Sequence, residues 1–151
     1  MSELALPKID KSTILNRNKI VSNLKKIIKS ENVLDHNDEI KPYETDALSA
    51  YKQKPLVVVL PENVQEVSKI LKYCNEEKIK VIPRGAGTGL SGGALPLQDA
   101  ILLGLGKFNK ILEIDFNNKC VVSQPGVTNL AITHAVQHKG FYYAPDPSSQ
   151  L

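Results

Sequence analysis

Five of the nine glycines lie in one stretch, Pro83-Arg84-Gly85-Ala86-Gly87-Thr88-Gly89-Leu90-Ser91-Gly92-Gly93, which has one basic and no acidic residue. Glycine reaches positive φ at little cost and lets a ligand lie against bare backbone. Successive backbone N–H groups in such a run form a concavity that binds anions. We therefore interpret the stretch as a cradle for a phosphate or pyrophosphate group.

Two well-known phosphate loops fit these residues poorly. Residues 87–92 match G-x-G-x-x-G, but the dinucleotide fingerprint needs a helix directly after the glycines. Pro96 would break that helix, and we interpret the acidic Glu113, about twenty residues on, as an accidental match. A Walker loop needs Gly-Lys-Ser/Thr, which does not follow. An ordinary flexible surface loop remains the alternative, although Arg84 and the apolar run before it argue against it.

Composition excludes several classes of protein. The chain has 151 residues, 42% of them apolar, and a net charge of +3, which is typical of about one globular domain. Only two of the nineteen basic residues are arginines, Arg17 and Arg84, so we expect no nucleic-acid partner. No run approaches eighteen apolar residues and no secretory signal is present, which predicts a cytoplasmic protein without an integral membrane span.

The cysteines and histidines do not indicate a metal site. Cys74 and Cys120 are isolated, so we expect reduced thiols, with Cys74 as a core residue of a helix. His134 and His138 stand four residues apart, but the zinc-protease pattern needs Glu where Ala135 stands. We predict no metal.

We predict that residues 1–51 form an N-terminal helical extension and a connecting arm. Apolar spacing predicts one or two amphipathic helices from Ser12 to Ser30, with Ser12 as N-cap. Residues 31–54 are polar and are expected to be irregular.

A βαβ unit is predicted next, within a domain that we place at residues 52–151. Residues 55–61 are a β-branched run typical of a buried strand. A helix over 62–78 follows, with Val64, Val67, Ile70, Leu71 and Cys74 on its apolar stripe. The strand at Val81-Ile82 leads into the glycine-rich stretch, which therefore leaves a carboxyl strand end, where open α/β sheets bind ligands.

The pattern then changes, and we predict an α+β fold. Residues 100–105 form a third strand, and residues 111–115 and 119–123 form a hairpin around an asparagine turn, which starts a second, antiparallel subdomain near residue 107. A helix with Thr128 as N-cap runs to about Lys139, and Gly140 ends it.

The last residues combine aromatics, a Pro145-Asp146-Pro147 turn and two hydroxyls, Ser148 and Ser149. A planar ligand can pack on such a rigid segment. Taken alone, the segment is better explained as an ordinary proline turn. The sequence then stops without a closing element, as if cut in mid-fold.

Several motifs together, in this order, carry a resemblance to a known family. They are Tyr43-Glu44-Thr45-Asp46, residues 55–61, residues 83–96, Ile111-Leu112-Glu113-Ile114-Asp115, Gln124-Pro125-Gly126-Val127 and residues 142–150. The set resembles the family of the FAD-binding glycolate oxidase subunit, among the FAD-linked 2-hydroxy-acid dehydrogenases of the vanillyl-alcohol oxidase/p-cresol methylhydroxylase superfamily. The resemblance covers residues 43–151 and implies the FAD-binding fold of that superfamily.

The resemblance also implies the cofactor site. It places the FAD pyrophosphate on Pro83, Arg84, Gly85, Ala86, Gly87, Thr88, Gly89, Leu90, Ser91 and Gly92, and the flavin further along on Pro125, Gly126, Pro145, Asp146, Ser148 and Ser149. Some members attach FAD through a histidine of this loop. No histidine occurs here, so we expect non-covalent FAD. For Arg84, an anion-binding role and a purely bracing role remain open.

The implied reaction is oxidation of a small-molecule D-2-hydroxy acid, such as glycolate or D-lactate, to the 2-oxo acid. Other glycolate oxidase subunits are the implied partners, and they would be the route to any membrane association. The family's substrate-binding cap lies beyond these residues, so no catalytic residue is assigned and we expect the chain alone to be inactive. A reductase or another oxidase of the superfamily, or a non-catalytic FAD-binding fragment, is the alternative.

Overall fold

The computed structural model describes residues 7–145, and Asp146, Ser148 and Ser149 lie outside them. Its helices are α1 (Lys11–Leu15), α2 (Arg17–Ile27), α3 (Asn37–Ile40), α4 (Val64–Glu76) and α5 (Asn129–Val136). Its strands are β1 (Val33–Leu34), β2 (Val57–Val59), β3 (Lys80–Arg84), β4 (Ala100–Gly104), β5 (Ile111–Asp115) and β6 (Cys120–Ser123). Short 3₁₀ turns cover Ser30–Asn32, Lys41–Tyr43 and Gln137–Lys139.

A four-stranded sheet with the order β1-β2-β4-β3 organises the first hundred residues. β2 and β3 both pair with β4 in parallel, whereas β1 pairs with β2 in antiparallel fashion. The predicted β2-α4-β3 unit is present, but its strands are not neighbours, because β4 lies between them. β3 is therefore an edge strand, where Pro83 is tolerated without its ladder N–H.

Two apolar layers cover the sheet. Alternate residues of the central strands (Val57, Val59, Ile101 and Leu103) pack with Leu24 of α2 and Ile70 of α4. On the opposite face, Val58 and Leu102 pack with Ile40 of α3. The central strands are thus buried on both faces, as continuous apolar runs predict.

Three expectations from the sequence were wrong in detail. The N-cap of α1 is Asp10, whose side chain accepts from the N–H of Ser12. The polar segment 31–54 is not wholly irregular, since it supplies β1 and α3. On α4, Val64 and Leu71 are exposed because no described element packs against them, whereas Ile70 and Cys74 are buried as predicted.

The second, smaller unit follows the prediction closely. β5 and β6 form a separate antiparallel hairpin. Thr128 caps α5 by accepting from the N–H of Ala131, and Gly140 ends the following 3₁₀ turn in the left-handed conformation. Among the described residues, no helix is long and apolar enough to cross a bilayer.

Candidate functional site

The glycine loop, residues 84–92, leaves the carboxyl end of β3 beside the carboxyl end of β4. The two strands are in register to their last residues, since Arg84 pairs with Gly104. The N–H of Leu105 then donates to the carbonyl oxygen of Arg84 at 2.9 Å. The residues after Gly92 turn without forming a helix, which agrees with our rejection of a Rossmann site. The loop therefore occupies the sheet edge at which α/β proteins bind ligands.

The amides of this loop are free to bind an anion. Within residues 7–145, no hydrogen bond has a backbone N–H of residues 85–91 as its donor. Most of the loop is exposed, including the hydroxyl residues Thr88 and Ser91. Buried backbone donors are nearly always paired, so a run of unpaired donors needs solvent or a ligand. A pyrophosphate supplies several acceptor oxygens for such a run, and the residues present fit that group.

Two glycines show what the loop requires of its backbone. Gly87 has a φ of +76°, and a Cβ at this residue would collide with the guanidinium of Arg84. Gly89 has an ordinary φ, and a Cβ there would meet no described atom within 4 Å. Gly87 is therefore required by the fold of the loop, whereas the position of a Cβ on Gly89 is open space.

Arg84 turns towards the protein. Its Nη1 donates to the carbonyl oxygen of Thr45 at 2.7 Å, and its guanidinium carbon lies 5.6 Å from the centre of the Tyr43 ring. Arg84 thus braces the loop, and its charge lies beside Gly87 in the middle of the loop. A cation beside an anion cradle still raises the local positive potential.

The predicted residues Pro125 and Gly126 reach the same end of the sheet. Gly126 donates from its N–H to the carbonyl oxygen of Phe108 at 2.7 Å. A Cβ on Gly126 would lie 2.7 Å from the carbonyl oxygen of Leu105, the residue that also bonds to Arg84. The glycine loop and the Pro125-Gly126 turn therefore both contact Leu105, which brings these two predicted segments together.

Pro145 is described and exposed, but none of the described hydrogen bonds joins it to the glycine loop. In the chain it comes just after residues 141–143, which line an apolar cavity of about 310 Å³ between the hairpin and α5. Aromatic side chains line that cavity: Phe141 and Tyr142 belong to the terminal segment on which the sequence analysis expected a planar ligand to pack, whereas Phe116 of the hairpin was not singled out. Phe116 lies in the hairpin turn, distant in the chain from the terminal segment, so no local pattern linked it to this cavity.

A larger cleft, of about 640 Å³, lies elsewhere. It is lined by residues such as Arg17, Lys54, Pro55 and Gln98. These lie at the amino ends of β2 and β4, at the edge of the sheet opposite the glycine loop. Its size alone does not make it the site, because neither the loop amides nor the Pro125-Gly126 turn borders it.

A network of charges supports the carboxyl edge of the sheet. Glu62, just after β2, accepts from Lys29 at 2.8 Å and from Lys107 at 3.1 Å. It also accepts from the amide of Asn32, a buried side chain. The hydrogen bonds from Lys29, Asn32 and Lys107 lower the pKa of Glu62 from 4.5 to about 2. The network ties the loops after β2 and β4 to the start of the chain.

Comparison with known proteins identifies the family of the chain. A family model described as an FAD binding domain matches residues 55–151. The chain belongs to this FAD-binding family. The glycolate oxidase subunit GlcD of Escherichia coli K12 is 46% identical over 147 residues, 97% of this chain and 28% of that protein. A D-lactate dehydrogenase of Archaeoglobus fulgidus is 37% identical over 131 residues, 86% of this chain and 29% of the relative.

The solved structures give the same result for the fold. The crystal structure of p-cresol methylhydroxylase with substrate bound superposes with a TM-score of 0.72 at 28% identity. The match covers 87% of this chain and 26% of that one. The predicted resemblance, the fold type and FAD as cofactor are thereby confirmed. The chain spans under a third of the length of these relatives, so their activities are proposals for this protein.

Proposed function

We propose that this chain holds FAD in an oxidoreductase that converts a D-2-hydroxy acid, such as glycolate or D-lactate, to the 2-oxo acid. The observation that carries the proposal is the run of unpaired amides over residues 85–91, in a chain whose relatives carry the names glycolate oxidase and D-lactate dehydrogenase. The loop amides bind the pyrophosphate, and Pro83, which has no N–H to donate, lines the start of the site. The hydroxyls of Thr88 and Ser91 add hydrogen bonds to its oxygens.

The remaining predicted residues extend the site from the loop towards the flavin. Pro125 and Gly126, held against Leu105, form its continuation at the carboxyl edge of the sheet. Pro145, Asp146, Ser148 and Ser149 are proposed to line the flavin beyond it. FAD, when bound, supplies the acceptor for the hydride that leaves the substrate carbon. No described residue is assigned as the base that takes the hydroxyl proton.

Non-covalent attachment is part of the proposal, because the loop has no histidine. We also propose that the protein works beside other subunits, since the E. coli relative is itself named a subunit. Exposed apolar side chains on the hairpin and after α5 (Leu112, Val122 and Tyr142) fit such a contact.

The experiment is anaerobic addition of substrate to the protein as isolated from its own cells, with the visible flavin absorbance recorded. The proposal predicts that glycolate or D-lactate bleaches the flavin and that L-lactate does not. Bleaching by neither acid, with flavin bound, would overturn the substrate class and favour another oxidase or reductase of the superfamily.

A further inference from the structure

Residues 43–48 contact the glycine loop at several points, and they lie outside the matched residues 55–151. The carbonyl oxygen of Thr45 accepts from Arg84 at the start of the loop. The N–H of Ala47 donates to the carbonyl oxygen of Gly87 at 2.8 Å. At the far end, Cδ2 of Leu48 would lie 3.6 Å from a Cβ on Gly92. One short segment thus contacts the beginning, middle and end of the loop.

Arg84 transmits this support. Its guanidinium packs on the ring of Tyr43, bonds to Thr45 and fills the space beneath Gly87. A guanidinium fixed on three sides cannot swing out without breaking all three contacts. The loop is therefore held in one shape before any ligand arrives, which reduces the entropy lost on binding.

Asp46 adds an independent observation. It is buried, with only 5% of its surface exposed. Its Oδ1 accepts from the N–H of Leu48 at 2.9 Å, which fixes the turn that presents the Ala47 amide to Gly87. Its Oδ2 is also buried but accepts no hydrogen bond from the described residues. A buried acceptor without a donor is costly, so this oxygen takes its hydrogen bond from water or from a group of the occupied site.

We propose that residues 43–48 are a positioning element of the cofactor site, with Asp46 as its positioning residue. Oδ1 sets the turn that presents the Ala47 amide to the carbonyl oxygen of Gly87, and the buried Oδ2 is the acceptor that a donor of the occupied site satisfies, while the amides of residues 85–91 bind the anion. This inference rests on the proposal that the loop holds the FAD pyrophosphate. It makes the sequence around Tyr43 part of the binding site although it is distant in the chain.

Two pairs of variants test the inference. Tyr43→Phe keeps the ring beneath Arg84, whereas Tyr43→Leu removes the ring and keeps an apolar side chain. Asp46→Asn keeps an oxygen that accepts from the N–H of Leu48 and replaces the other carboxylate oxygen with an amide donor. Asp38→Asn removes the same charge at an exposed position and serves as its control. For each, FAD affinity is measured by titration, and hydrogen exchange of the Ala47 amide is measured without FAD. Thermal melting confirms that each variant is folded.

The two substitutions are expected to differ in their readouts. Tyr43→Leu should weaken FAD binding by about three- to tenfold and speed exchange at Ala47, since the cation–π contact that fixes Arg84 is lost. Asp46→Asn should weaken FAD binding by about tenfold, with exchange at Ala47 unchanged, because the bond to Leu48 remains. Tyr43→Phe and Asp38→Asn should behave as the wild type.

The outcomes separate the inference from the proposed function. If the wild type binds FAD and the folded Tyr43→Leu and Asp46→Asn variants bind it equally well, the positioning role is wrong and the FAD site stands. If the wild type and all variants fail to bind FAD, the loop is not a pyrophosphate cradle. The inference then falls with the proposed function.

Discussion

The backbone N–H of Gly126 donates to the carbonyl oxygen of Phe108 at 2.7 Å and anchors the second unit to the end of the sheet. Phe108 is buried, and its own N–H bonds to the carbonyl oxygen of Leu105, just after β4. The turn before α5 is thus attached to the strand that lies next to the glycine loop. Glycine is needed here for close approach, since a Cβ would face two backbone oxygens.

Gly126→Ala should destabilise the protein. The new Cβ would lie 2.7 Å from the carbonyl oxygen of Leu105 and 2.8 Å from that of Phe108, so the backbone must shift. We expect a loss of about 1–3 kcal/mol in the free energy of unfolding, measured by urea denaturation. Gly106→Ala is the control, because a Cβ there meets nothing within 4 Å. Equal stability of the two variants would show that the close approach does not constrain the fold.

Asp99→Asn should loosen the attachment of the first helix. The buried Oδ2 of Asp99 accepts from Lys80 and from the N–H of Asp10, each at 2.7 Å. Burial raises the pKa of Asp99, but these two bonds outweigh it and the pKa is lowered overall. We expect a loss of about 1–3 kcal/mol near neutral pH by urea denaturation. The exposed Asp38→Asn control should change stability by less than about 0.5 kcal/mol, and a similar small change for Asp99→Asn would contradict the account.

The pH dependence of stability should show the contribution of Glu62. Its hydrogen bonds with Lys29, Asn32 and Lys107 give it a pKa of about 2 in the folded protein, against 4.5 ordinarily. A lowered pKa stabilises the fold above the unfolded value, and this stabilisation is lost as pH falls towards the folded value. The Tm of the wild type should therefore exceed that of Glu62→Gln near neutral pH, and the difference should shrink below pH 4.5.

The control for that series is Glu113→Gln, an exposed acid without a described ion pair. Its Tm should follow the wild type at every pH. A Glu62→Gln difference that stays constant down to the acid limit would mean that the network depends on shape and not on charge.

The two cysteines should react very differently with a thiol reagent. Both are free, Cys74 is buried in the core and Cys120 is exposed on the hairpin. Burial raises the pKa of the Cys74 thiol to about 11, so its thiolate is scarce as well as inaccessible. A colorimetric disulfide reagent should modify one thiol of the native protein promptly, and two after denaturation. Prompt reaction of both in the native protein would contradict the packing of α4.

Local patterns predicted the elements whose signals are local. The β-branched run at β2, the hairpin of β5 and β6, and Thr128 as the cap of α5 needed only neighbouring residues to be recognised. The glycine loop was recognised in the same way, because its composition alone distinguishes it from ordinary turns. Its place at a carboxyl strand end followed from the order of the elements.

Local patterns could not predict which strands pair with one another in the sheet. The insertion of β4 between β2 and β3 depends on contacts between strands that are distant in the chain. The two-residue strand β1 was missed because its polar surroundings resemble a loop. Long-range contacts also explain why the sequence left the role of Arg84 open. Its partners Tyr43 and Thr45 lie about forty residues earlier and approach it only in the folded protein.

The most direct test of the account is FAD titration of the chain and of its Gly89→Leu variant, with Gly106→Leu as a control of equal size. A side chain at either glycine begins in open space, so both variants should fold with an unchanged Tm. If the glycine loop is the pyrophosphate cradle, the wild type and Gly106→Leu bind FAD and Gly89→Leu does not. A Gly89→Leu variant that binds FAD as tightly as the wild type would show that the cofactor lies elsewhere.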